Sequence, residues 1–321
     1  MPERIWRLIE GIWLGAGAWP DFIKAMRLVL PFGSSDKKGP DREPAKWALL
    51  PGLCCQAAGG DARWADILAA AWLLFYIAAD IMDSVEDQDE PDPWWQESGP
   101  GMAINVASGL YFSASQVLNR LYQYEATRSA APDVTKKFLN DFLIMCSGQH
   151  RDLTNPEPSL DQYWQIAAAK SGYFFGLACQ AGARLGTDEL KKISSYQQYG
   201  YHLGMLVQIL DDLEDFHGLQ SSSTPEKWTT LKRSLPVVYA LQMYSGSNER
   251  QLRQYLNDAS GDNKAAEEAI ALLEGSGVVV YLMSEMARHR NQAIENLKQA
   301  KPQPAAAEFL ATLVRDIGTP V

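Results

Sequence analysis

The stretch Gln208-Ile209-Leu210-Asp211-Asp212-Leu213-Glu214-Asp215-Phe216 places three aspartates at i, i+1 and i+4 inside an apolar run. On a helix, Asp211 and Asp215 stack on one face and Asp212 flanks them. Like charges at that spacing repel, so the arrangement adds nothing to a soluble helix by itself. It makes sense where something doubly positive sits between the carboxylates. Oxygen donors of this kind suit Mg2+, which is held by one or two carboxylates together with substrate phosphates.

A second acidic cluster lies upstream, in Ala79-Asp80-Ile81-Met82-Asp83-Ser84-Val85-Glu86-Asp87. Asp80, Asp83 and Asp87 follow i, i+3, i+7 spacing and share one helix face. The run 69–79 before them is almost wholly apolar. Two acidic faces, each at the end of a buried helix, are expected to meet across one cavity. The plainer alternative, two solvated helix ends, loses force when the pattern occurs twice beside apolar helices.

Composition narrows the classes further. The chain has 321 residues, 46% of them hydrophobic and 21% charged, as in ordinary globular proteins. A net charge of -10 and the lack of a basic run argue against nucleic acid as the main partner. An acidic protein that takes an anionic substrate needs local cations or metal to do so. Cys54, Cys55, Cys146 and Cys179 show no CxxC spacing and read as buried, reduced thiols of a cytoplasmic protein. The four histidines are scattered, which argues against zinc. The charged N-terminus lacks the shape of a signal peptide. No window of about 18 uncharged apolar residues occurs, so no transmembrane helix and no stable membrane insertion are expected. The Trp-rich amphipathic segment Ile5 to Trp19 is expected to pack on the body of the protein or on a second subunit.

Apolar residues recur at helical spacing nearly everywhere, and period-2 strand patterns are almost absent. Helices are predicted over 3–17, 19–31, 44–58, 62–87, 101–127, 132–152, 160–184, 187–216, 226–244, 247–258, 263–273, 278–300 and 304–317. Turn residues punctuate them, as in Glu90-Pro91-Asp92-Pro93 and Asn155-Pro156-Glu157-Pro158. None of these breaks reads as a domain linker. The expectation is one all-α domain over 1–321, its residues 1–41 forming N-terminal helices and a loop, with long helices around a central cavity.

The order of these features resembles the trans-polyprenyl diphosphate synthase (polyprenyl synthetase) family, from about residue 42 to the C-terminus. Gly59-Gly60-Asp61, Ala79-Asp80-Ile81-Met82-Asp83, Gly148-Gln149 with Asp152-Leu153, and Lys170-Ser171 follow in the family's order. Gly204 with Gln208 to Asp215, then Lys227, and Lys232-Arg233-Ser234-Leu235-Pro236 complete it. The resemblance implies an isoprenoid synthase-type helical bundle that binds an allylic diphosphate through about three Mg2+ ions. It implies that Asp80, Asp83, Asp87, Asp211, Asp212 and Asp215 hold them. Lys170, Lys227 and Lys232 are then expected to stabilise the departing pyrophosphate, with Gln208 donating a hydrogen bond inside the site. Gln149 is expected to contact substrate. Phe75, Tyr76, Phe174 and Phe175 are expected to line a dry cavity that protects a carbocation. A homodimer is also implied.

Three positions depart from the family's pattern. Ala79 stands where the first acidic motif usually opens with Asp. Arg42-Glu43-Pro44-Ala45-Lys46-Trp47-Ala48 replaces the Gly-Gly-Lys-Arg-x-Arg-Pro segment that holds isopentenyl diphosphate, leaving Arg42 and Lys46 as the only cations, out of register. Gln88-Asp89 replaces the usual Arg-Arg pair, and Glu90 and Asp92 follow. Burying a diphosphate without paired cations is costly. The expectation is therefore an enzyme that ionises an allylic diphosphate of roughly C10 to C20 but quenches the cation differently, first by cyclisation as a terpene synthase. Prenyl transfer, by chain elongation or to another acceptor, and an inert helical subunit are the alternatives. Phe75 at the cavity floor points to a short product on family analogy.

Overall fold

The structure, a computed structural model, describes residues 2–31, 47–87, 91–219, 228 and 231–318. Among these residues the regular structure is helical and no strand occurs, as the apolar spacing predicts. Two compact units are present, each discontinuous along the chain. The first comprises 1–141, 177–198 and 296–311, and the second 142–176, 199–295 and 312–321.

The chain begins with α1 (Pro2–Gly15), α2 (Pro20–Leu28), α3 (Leu50–Ala57), α4 (Ala62–Glu86) and α5 (Pro100–Leu118). All five lie in the first unit, with α4 at its core: every residue from Ala65 to Phe75 is buried. That all-round apolar pattern is the signature of a core helix. By length and composition α4 is apolar enough to cross a membrane when a charged residue or two is allowed, yet most of it is buried in the protein, as in a core helix. Gly59, at φ +100, makes a turn that only glycine takes without strain. Asp61 then caps α4, accepting from the Arg63 N–H at 3.0 Å. Helix α1 turns Ile5, Ile9 and Trp13 inward, and the Trp13 indole donates to Ser113 Oγ at 2.8 Å. The Trp-rich segment thus packs on the body of its own unit. Cys54, Cys55 and Cys179 are buried free thiols, and burial pushes Cys55 up to about 12. Cys146 is exposed, contrary to the expectation of four buried thiols.

Further along come α6 (Ala131–Thr154), α7 (Leu160–Ala167), α8 (Tyr173–Gly186) and α9 (Leu190–Gly218). They are followed by α10 (Leu235–Met243), α11 (Ser247–Asp258), α12 (Asn263–Gly275), α13 (Val278–Gln299) and α14 (Pro304–Asp316). The second unit buries Phe142, Ile166, Phe174, Leu203, Leu206, Ile209, Val238 and Leu282. It also joins two histidines that the sequence scatters. His202 Nδ1 and His289 Nδ1 lie 2.9 Å apart, and Arg288 Nη2 lies 2.9 Å from His289 Nε2. A guanidinium only donates, so His289 accepts through Nε2, carries its proton on Nδ1 and donates to His202. Burial, helped by Arg288, holds His202 down at about 4 and His289 at about 3.

Three predicted helices need correction. The segment 101–127 leaves the α-helix at Leu118 and continues as a 3-10 turn, Asn119–Gln123. The segment 160–184 is broken by a π turn at Ala168–Gly172. Within 226–244, the helix α10 starts at Leu235, with Ser234 extended (φ -74, ψ 157) and Pro236 in the first turn. Proline is favoured there because the first-turn N–H groups have no helical partner.

Candidate active site

Lys170 lies in the π turn Ala168–Gly172. Such turns widen a helix locally and recur at functional sites. Two glycines allow neighbouring backbones to reach it. A Cβ on Gly204 of α9 would lie 2.3 Å from the Ser171 carbonyl oxygen, and one on Gly148 of α6 would lie 2.6 Å from Ala169 Cβ. Held this way, Lys170 Nζ donates to Asp152 Oδ2 at 3.0 Å. Arg233 Nη1 donates to the Asp152 carbonyl oxygen at 3.2 Å and lies 3.8 Å from its Oδ1. Asp152 is in the last turn of α6, where carbonyls lack helical partners. Two cations therefore converge on one carboxylate, with side-chain exposures of 22%, 15% and 15% for Lys170, Asp152 and Arg233. One turn earlier on α6, both amide atoms of Gln149 are buried without a hydrogen-bond partner. Leaving such groups unmet costs about 1–3 kcal/mol each, so they mark a place that polar ligand atoms would complete.

The acidic stretch on α9 divides by burial. Asp211 and Asp215 are exposed and Asp212 is buried. The Tyr163 hydroxyl and the Leu235 N–H both donate to Asp212 Oδ2 at 2.7 Å. Gln208 Nε2 donates to Asp212 Oδ1 at 3.1 Å, and the Ser171 hydroxyl donates to Gln208 Oε1 at 2.8 Å. Burial pushes the Asp212 carboxyl up to about 6, against the pull of its three hydrogen bonds. Burial and the neighbouring carboxylate raise the Tyr163 hydroxyl.

The other predicted residues fall as follows. Asp80 is exposed, and Asp83 and Asp87 are half-buried, at the end of α4 in the first unit. Phe75 is buried against Tyr111 (5.8 Å) and Phe138 (6.0 Å), while Tyr76 is half-buried beside Trp72 at 5.4 Å. Phe174 and Phe175 sit edge-on at 5.9 Å in the second unit. Lys232 Nζ donates to the exposed Asn257 Oδ1 at 2.8 Å, whereas the adjacent Arg233 faces the Lys170–Asp152 pair. Lys227, Arg42 and Lys46 lie outside the described residues, as do Gln88, Asp89 and Glu90. Tyr163 carries no sequence signal as a site residue, and Arg233 stands in the sequence motif only as the neighbour of Lys232, because their partners are distant along the chain.

Among the described residues, no three His, Cys, Asp or Glu side chains already converge as a metal cage. Mg2+ does not require one. It keeps several waters and takes one or two carboxylates plus phosphate oxygens. The exposed pair Asp211 and Asp215, one turn apart and purely oxygen-donating, suits it.

Comparison with known proteins gives a consistent picture. A sequence profile described as polyprenyl synthetase matches residues 50–273. The chain is 27% identical over 73% of its length to a tryptophan prenyltransferase ComQ of Bacillus subtilis subsp. natto, covering 69% of that protein. It is 26% identical over 72% of its length to a geranylgeranyl diphosphate synthase of Mycobacterium tuberculosis, covering 67% of that protein. A crystal structure of a polyprenyl synthetase from Streptomyces coelicolor A3(2) superposes with a TM-score of 0.80 at 23% identity, over 99% of this chain and 98% of that one. A polyprenyl synthase from Caulobacter crescentus, solved with calcium and isoprenyl diphosphate, gives 0.72 at 19% identity over 97% and 95%. These relatives fit the prenyl-transfer alternative better than the cyclisation expected first from sequence.

Proposed function

The chain belongs to the polyprenyl synthetase family, and from that premise we propose that it ionises an allylic prenyl diphosphate and passes the prenyl group to an acceptor without a diphosphate. The observation that carries this reading is the Lys170–Asp152–Arg233 cluster beside the unmet amide of Gln149. When bound, Mg2+ neutralises charge that grows on the leaving oxygens. Asp211 and Asp215, and separately Asp80, Asp83 and Asp87, would hold it. Lys170 and Arg233 supply donors whose attraction strengthens as the leaving group gains charge. Asp152 keeps the two cations side by side. The C–O bond breaks with its electron pair departing on the diphosphate. The cation at C1 then takes an electron pair from the acceptor, which releases a proton.

The nature of the acceptor rests on sequence. In sequence, Gln88-Asp89 takes the place of the family's Arg-Arg pair and Glu90 and Asp92 follow, so this segment brings carboxylates where cations would favour an acceptor diphosphate, and only Arg42 and Lys46 remain upstream. A relative named for prenylating tryptophan supports an electron-rich carbon acceptor of that class. Cyclisation is the second reading, favoured by the same loss of acceptor-site cations.

Purified protein with Mg2+ and geranyl, farnesyl or geranylgeranyl diphosphate separates these readings. Pyrophosphate release that rises with an indole acceptor, and not with isopentenyl diphosphate, is expected. A cyclic hydrocarbon without any acceptor would favour the second reading, and longer diphosphates formed with isopentenyl diphosphate would overturn both. Asp211→Asn is expected to abolish pyrophosphate release, and unchanged release would sink the metal assignment.

A further inference from the structure

We propose that Asp212 is a positioning residue that sets Lys170 and Arg233 against the acidic face of α9, and not a metal ligand. The assignment rests on the ionisation reading above and divides the labour within its aspartate triplet. Asp212 is 6% exposed, and its two oxygens already accept three hydrogen bonds. A metal ion would have to reach a buried carboxylate with a single acceptor site left, on Oδ1, while Asp211 and Asp215 on the same helix are exposed.

Each bond of Asp212 leads to a different segment. Through Gln208 it reaches Ser171, the neighbour of Lys170 in the π turn. Through the Leu235 N–H it holds the first turn of α10, two residues after Arg233. Through the Tyr163 hydroxyl it holds α7, the helix that enters the π turn. The cation-bearing segments are thus both fastened to α9 by one side chain. Misplacing such groups by about 1 Å costs on the order of 100-fold in rate without removing any group that touches substrate.

The network also specifies a rescue. Asn at 212 still accepts from Tyr163 and Leu235 through its oxygen, but its NH2 meets the NH2 of Gln208 as long as the Gln208 oxygen accepts from Ser171, and turning that amide over would cost this bond. Glu at 208 would accept from both that NH2 and Ser171, restoring every bond with the charge moved by one turn.

The test measures Mn2+ binding with inorganic pyrophosphate by calorimetry, thermal unfolding of the metal-free protein, and pyrophosphate release from farnesyl diphosphate. Asp212→Asn is expected to lower kcat by about 100-fold while Mn2+ affinity stays within about threefold, and Gln208→Glu in the same chain to restore most of kcat. Asp211→Asn is expected to lose Mn2+ affinity instead. Tyr163→Phe, which removes one donor and nothing else, is expected to lower both kcat and the metal-free Tm. The assignment is overturned if Asp212→Asn loses Mn2+ as Asp211→Asn does, or if Tyr163→Phe leaves kcat and Tm unchanged. Wild-type protein that neither binds Mn2+ with pyrophosphate nor releases pyrophosphate would instead bring down the ionisation reading on which it rests.

Discussion

Asp152 gathers Lys170 and Arg233, while Lys232, next along the chain, turns to Asn257. Sequence order alone selects Lys232 as the phosphate-facing cation, and geometry selects its neighbour. Hydrogen bonds from charged donors are worth about 1.5–3 kcal/mol, or roughly 10- to 100-fold in a rate. Arg233→Ala is therefore expected to depress pyrophosphate release at least tenfold more than Lys232→Ala. Steady-state rates of the two variants decide, and equal losses would return the role to Lys232. Asp211 and Asp215 were legible as exposed, same-face carboxylates because i, i+4 spacing is a local property. The burial of Asp212 was not, because it depends on Tyr163 and Leu235, which no local spacing connects to it.

At the level of elements, the long helices were legible from their apolar periodicity, and their ends mostly from proline, glycine and capping aspartate or serine. The π turn was hidden. Ala167-Ala168-Ala169 favours an uninterrupted helix, and the widening shows only where α9 presses on Ser171. Gly204 makes that contact possible. Gly204→Ala puts a methyl group against a backbone oxygen that cannot rotate away. We expect a loss of about 1–3 kcal/mol, as for other overpacked sites, together with a fall in kcat as the turn carrying Lys170 shifts. Urea unfolding and turnover measure the two effects, and a variant as stable and active as wild type would show that the close approach is not required.

For the molecule as a whole, the His202–His289 pair ties stability to acidity. Both histidines bind a proton less readily in the folded protein, at about 4 and about 3, than in the unfolded chain, at about 6.5. Between those values the unfolded state takes up more protons. The stabilisation is therefore present in full above pH 6.5 and is lost as the pH falls toward 4. Trp164, Tyr201 and Arg288 surround the pair, and the guanidinium adds repulsion to any charge formed there. His202→Asn keeps an acceptor for the His289 N–H but removes one titrating group. Its Tm should fall less than that of wild type between pH 7.5 and pH 5, and parallel curves would refute the coupling. Nothing in the spacing of four scattered histidines announces this pair, because it joins α9 to α13 across the fold of the second unit.

The hydrogen bonds of Asp212 span long stretches of chain, 49 residues to Tyr163 and 23 to Leu235, and the bond from Ser171 to Gln208 spans 37. Contacts of that kind form only after loops have closed, so they belong to the slow part of folding. A collapsed chain in which α7, α9 and α10 docked out of register would leave that carboxylate buried and unmet, at a cost of several kcal/mol. The buried carboxylate thus favours the one register of α7, α9 and α10 in which its bonds are met, and that register is also the one that brings Lys170 and Arg233 to Asp152.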